Sequence, residues 1–130
     1  MFSISKNGII TVSRGDDFTL NTSINIGTVF NPCYYDLQDE DLVYFALMEP
    51  NQPFEHALIR KVFTSADKDF DGSIVMNFTM KDTEFLVPGT YYYMIKLKRL
   101  DSYESDGESG YEPIYKVDTI VTKTKFIVCD

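Results

Sequence analysis

The sequence predicts an all-β fold: an antiparallel sandwich of about seven strands, forming a single domain over residues 1–130. Three observations carry that expectation. Apolar side chains recur at every second position in segment after segment, which places them on one face of an extended chain. Aromatic residues make up 15% of the sequence, with ten Phe, nine Tyr and no Trp, and rings fit a pleated surface well. Glycine, proline and aspartate signals separate the alternating segments at roughly 10–15-residue intervals. A chain of 130 residues buries enough surface to fold without a metal or disulfide, and a hydrophobic content of 44% argues against disorder.

The first apolar run, Ile9 to Val12, reads as an edge strand, and "SRGDD" turns the chain after it. In "DFTLNTSINI", Phe18, Leu20, Ile24 and Ile26 share one face, with Thr22 among them. The stretch from Gly27 to Asp41 reads as a loop, with Gly27 and Pro32 as breakers. "LVYFALME" places Val43, Phe45 and Leu47 opposite Tyr44, Ala46 and Met48; both faces are apolar, as expected of a central strand. A turn carrying Pro53 follows. "EHALIRKVFT" fits a helix through Phe54, Leu58 and Val62, or a strand through Ala57, Ile59 and Phe63; its β-branched and aromatic content favours the strand.

In "SIVMNFTM", Ile74, Met76, Phe78 and Met80 alternate. "KDTEFL" can make one helical turn before the "VPGT" turn. "YYYMIKLKRL" puts Tyr91, Tyr93, Ile95 and Leu97 inward and Tyr92, Met94, Lys96 and Lys98 toward solvent. A long acidic loop is expected from Asp101 to Glu112. The last strand sets Ile120, Phe126 and Val128 against Val121, Lys123 and Lys125. The expected core therefore contains Phe18, Leu20, Phe45, Leu47, Ile74, Phe78, Tyr93, Ile95 and Phe126.

The formal charge of −8 disfavours nucleic acid and anionic membranes, both of which attract basic patches. The acid falls mostly between apolar runs and reads as solvated loops. "MFSISKNGII" lacks the form of a signal peptide, and no apolar run reaches the length of a membrane helix. Cys33 and Cys129, with no CxxC, read as reduced thiols, although their separation leaves a pairing in space open.

"ADKDFDGSIVMNF" imitates the opening of a calcium loop, with Asp67, Asp69 and Asp71 as the weak candidate ligands and Gly72 after them. Phe78 stands where the closing glutamate belongs, and the exit segment alternates as a strand, so the expectation is a turn and no metal or other cofactor. "RGD" at Arg14 to Asp16 reads as a turn or bulge. His56, the single histidine, sits beside Glu55 and reads as a surface residue, and no other arrangement suggests an enzyme. Tyr suits contact surfaces, and desolvated aromatics dominate interface energies. Val29, Phe30, Tyr34 and Tyr35 in the first long loop, with Tyr103 and Tyr111 in the acidic one, are the protein-contact candidates.

Four segments together, "ITVSRGDDFTL", "DLVYFALMEP", "MKDTEFLVPGTYYYMIKL" and "VDTIVTKTKFIV", resemble small immunoglobulin-like β-sandwich proteins of tailed bacteriophage virions. Their order is similar to the N-terminal domain of baseplate upper proteins and to related capsid accessory proteins. The resemblance implies an immunoglobulin-like fold and a non-enzymatic structural role in the virion, with other virion proteins of capsid or tail as partners and room for self-association in the particle. Such a chain is made in the host cytoplasm. Ending directly after its last strand, it suits capsid decoration, with a tail or baseplate adaptor for a receptor-binding fibre as the alternative. A glycan-binding module using the Tyr-rich acidic loop is the competing class.

Overall fold

The computed structural model describes residues 2–105 and 111–130, with side chains placed for all of these except 102–105 and 111–113. The fold is all-β. Among the described residues eight strands form: β1 (Phe2–Ile4), β2 (Ile10–Ser13), β3 (Phe18–Thr22), β4 (Leu42–Met48), β5 (Ile59–Phe63), β6 (Ile74–Phe78), β7 (Gly89–Ser105) and β8 (Tyr111–Cys129). One short helix, α1 (Met80–Thr83), is the turn expected in "KDTEFL". Six strands make one sheet in the order β1-β2-β8-β7-β4-β5, and β3 pairs with β6 in a second sheet.

Alternation decides which side chains enter the space between the sheets. Phe18 and Leu20 of β3 and Ile74, Met76 and Phe78 of β6 are buried against Phe45 and Leu47 of β4, Tyr91, Tyr93 and Ile95 of β7, and Phe126 and Val128 of β8. Every core residue expected from the pattern is buried. The rings interlock across the gap. Phe18 stacks on Phe78 at 4.5 Å between centroids, Phe45 meets Phe78 edge-on at 4.8 Å, and Phe45 stacks on Tyr93 at 5.5 Å. The Tyr93 hydroxyl donates to the Gly8 carbonyl at 2.6 Å, so the polar end of this buried ring is satisfied. The outer face of β4 is covered too: Ala46 and Met48 are fully buried, as its two apolar faces require.

The structure corrects the expected topology in four places. The Ile9–Val12 run is not an edge: β1 flanks β2 on one side, and β2 pairs on the other with β8. That second pairing is parallel, Ile10 to Phe126 through Ser13 to Cys129, so the large sheet is mixed rather than antiparallel. The third strand ends at Thr22, and Ile24 is buried from the loop that follows. The acidic segment expected as a loop from Asp101 to Glu112 is paired at both ends, because β7 continues to Ser105 and β8 begins at Tyr111. Beyond Lys98, where β4 stops pairing, β7 and β8 continue as a two-stranded ribbon.

The opposition of Ile120 to Val121 also fails. The register slips between Tyr93 opposite Thr124 and Ile95 opposite Val121, so both residues pack against the core. A β-bulge of this kind reverses which side chains face inward. The choice of strand for the ambiguous segment holds: Ile59–Phe63 pairs with β4, and helical geometry is confined to a single 3-10 turn at Phe54–His56. "RGD" is a turn, with the Asp16 amide donating to the Ser13 carbonyl at 3.1 Å.

Phe78 touches rings from both sheets, so Phe78→Ala should leave a cavity at the seam and cost about 3–5 kcal/mol of unfolding free energy. Chemical denaturation measures this; a loss below about 1 kcal/mol would show that the seam is not where the two sheets are joined.

Candidate functional site

The loop from Gly27 to Asp41 is an ordered structure held by its own polar residues. The Asn25 side-chain oxygen accepts from the Gly27 and Cys33 amides, each at 2.9 Å, and drags the two limbs of a small hairpin together. Asn25 and Tyr34 form an isolated β-bridge, and the Thr28 amide closes the tip on the Asn31 carbonyl at 3.1 Å. Gly27 is required by this close approach: a Cβ there would lie 2.8 Å from the Cys33 amide nitrogen, and backbone cannot yield as a side chain can. The tip pushes Val29 and Phe30 into solvent, at 89% and 97% exposure.

Asp41 anchors the loop's far end. It is buried, and its Oδ2 accepts from the Tyr35 hydroxyl at 2.6 Å and the Gln38 amide at 2.8 Å. Its Oδ1 faces the Leu100 amide of β7 at 3.4 Å. Leu37, also buried, pins the middle of the loop to the core. The Arg99 guanidinium lies 5.4 Å from the centre of the Tyr35 ring and donates to Asp118 at 2.8 Å, which ties the loop to the base of the β7–β8 ribbon.

Segment 64–73 lies beside this loop. Its three aspartates serve the backbone. Asp67 accepts from the Thr64 amide in a capping box, Asp69 accepts from the Phe70 amide, and Asp71 accepts from the amide and the hydroxyl of Ser73. The Ser73 hydroxyl, followed by the Ser73 amide, holds the Asp71 carboxyl below its ordinary range. Gly72 has φ +87°, a left-handed turn that glycine adopts without strain. Lys68 then bridges the two segments, donating to Asp36 at 2.8 Å and to the Leu37 carbonyl at 3.0 Å, and Ser65 donates to Asp39. Among the described residues, no group of three metal-ligating side chains converges.

Between the two segments opens a cleft of about 330 Å³, with Tyr34, Tyr35 and Asp36 on one side and Phe70, Asp71 and Ser73 on the other. The fold therefore brings together residues that the sequence separates into two motifs. Tyr34 is exposed, whereas Tyr35 is half-buried and serves as an anchor. Phe70, 98% exposed, is the residue sequence reasoning missed. Its signal was legible: an aromatic between two turn-forming aspartates has no strand face to occupy. Tyr103 stands opposite Pro113 and Tyr111 opposite Ser105 in the ribbon; their side chains, and residues 106–110, lie outside the described residues.

His56 is exposed, with its Nδ1 3.3 Å from the Gln52 side-chain oxygen. Cys33 and Cys129 are both free thiols. Among the described residues, no helix is long and apolar enough to cross a membrane. No family model, no curated protein and no solved structure matches the chain.

The Tyr35 hydroxyl is pushed up to about 12 by burial first, then by its hydrogen bond to Asp41 and that carboxylate's charge, with Arg99 acting in the opposite sense. Because the folded value lies above the ordinary value near 10, this contribution to stability is complete below pH 10 and is lost as pH rises through about 12. Burial also raises the Tyr93 hydroxyl, so spectroscopic titration should show late-titrating tyrosines, and Tyr35→Phe should remove one tyrosine's absorbance change near pH 12 while the Tyr93 contribution stays. A wild-type curve superimposable on that of the variant would contradict the Asp41 anchor.

Proposed function

We propose that this chain is a non-enzymatic structural protein of a tailed-bacteriophage virion, an immunoglobulin-like sandwich attached to the capsid exterior. The observation that carries the reading is the loop end of the sandwich. Val29, Phe30, Tyr34 and Phe70 project there from segments fixed by Asn25, Asp41 and Lys68. Exposed aromatics on a rigid support favour binding, because little ordering entropy is lost when they are covered. The four-segment resemblance supplies the virion context. The acidic balance supports a place outside the shell rather than against packaged DNA.

The same end would serve a tail or baseplate adaptor, and separated particles distinguish the two. Quantitative mass spectrometry of purified heads and tails should recover the chain with heads, at a fixed ratio to the major shell protein. Recovery with tails would replace capsid decoration by the adaptor role. Absence from both fractions would reject the virion reading.

A further inference from the structure

Acidic residues crowd the segments that carry the exposed rings. Residues 27–41 and 64–73 together hold seven acidic residues and one basic residue, Lys68. Their excess of six negative charges compares with a net −8 for the entire chain. Lys68 is committed to Asp36, and the Asp41 carboxylate is buried, but Asp36, Asp39, Glu40, Asp69 and Asp71 are exposed. Phe30, Tyr34 and Phe70 are exposed on these same segments.

We propose that this end docks on a partner protein whose contact surface is apolar at its centre and bordered by Lys and Arg. The inference rests on the virion reading for where that partner is found, and it adds what the partner looks like. An interface is commonly built from desolvated aromatics surrounded by a polar rim. Here every exposed charge in the rim from these two segments is negative. An acidic partner would be repelled, and so would a nucleic acid or an anionic membrane. A basic border is complementary, draws the partner in at long range, and excludes acidic competitors.

The two parts of the surface have separable kinetic signatures. Rim charges act mainly on association and are screened by salt over a Debye length of about 10 Å at 0.1 M. Buried rings act mainly on dissociation. The probe is virions produced without this chain, to which purified chain is added back. Rates are followed at about 50 mM and about 500 mM NaCl, a range across which the screening length falls severalfold.

Wild-type association should slow about tenfold across that range. The triple variant Asp39→Asn, Glu40→Gln, Asp69→Asn retains its hydrogen-bond acceptors. It should associate about tenfold more slowly at low salt and lose most of the salt dependence, with dissociation little changed. Phe30→Ala with Phe70→Ala should accelerate dissociation at both salt concentrations. Both rings are almost fully exposed, so this variant should keep its fold, and its melting temperature checks that. Binding to particles that ignores both salt and the triple variant would overturn the basic-partner proposal while leaving the virion role standing. Salt-insensitive binding abolished by a soluble host polysaccharide would assign the surface to a saccharide and overturn it as well. Failure to bind the particles under any condition would overturn both readings.

Discussion

The seam of rings around Phe78 is the contact on which the rest of this structure depends. A two-stranded sheet such as β3–β6 is marginal in water by itself. It persists because Phe18 and Phe78 stack on each other and then reach Phe45 and Phe126 of the larger sheet. Offset and edge-on ring pairs add to simple area burial, so the seam fixes relative position as well as supplying stability. Lys61 reinforces one side of it. Its ammonium lies 4.7 Å from the centre of the Phe78 ring and donates to Asp82 at 2.9 Å, tying β5 to α1 across the gap. For Asp82, partial burial opposes the charge, but bonds from Lys61 and Thr79 outweigh it and lower its pKa.

From this seam the loop end is positioned in steps. β5 ends at Phe63, which pairs with Val43 at the start of β4, so the segment that follows β5 and the segment that precedes β4 emerge side by side. Asp41 and Lys68 then convert proximity into rigidity. Asp41 is a buried carboxylate with neutral donors around it, whereas Lys68 spans two backbone segments with one ammonium group. The apolar tip residues contribute nothing to the core, and their exposure is imposed by hairpin geometry from Asn25 to Tyr34. A surface that is rigid, aromatic and acidic is therefore a product of how the loops are tied down, and the proposed docking role follows from that rigidity.

Much of the core was legible because alternation is a local property. Phe18 through Phe126 could be assigned inward from pattern alone, and all nine expected core positions are buried. Pairing partners were not legible. Nothing local in "IITVS" reveals that Ile10 will lie beside Phe126 in parallel, since that depends on a chain separation of more than a hundred residues. The bulge near Tyr93 reversed the facing of Val121 for the same reason: it is a property of two strands, not of one. The acidic run after Leu100 looked like a loop because its composition is polar, yet ribbon pairing needs only backbone groups. At the site, the contact residues of the first loop were readable as unplaced aromatics. Their proximity to Phe70 and Asp71 was not, because the calcium-like spacing drew attention to the aspartates rather than to the ring between them; in the fold one oxygen of Asp69 and one of Asp71 accept within the turn.

Electron cryo-microscopy of intact particles, at a resolution that orients a 15.0 kDa all-β chain, tests the docking role most directly. Density for this chain is expected on the capsid exterior, with the hairpin bearing Phe30 and the turn bearing Phe70 facing the shell and the opposite end, near the start of β7, in solvent. Density with those two rings pointing away from every neighbouring protein would contradict it.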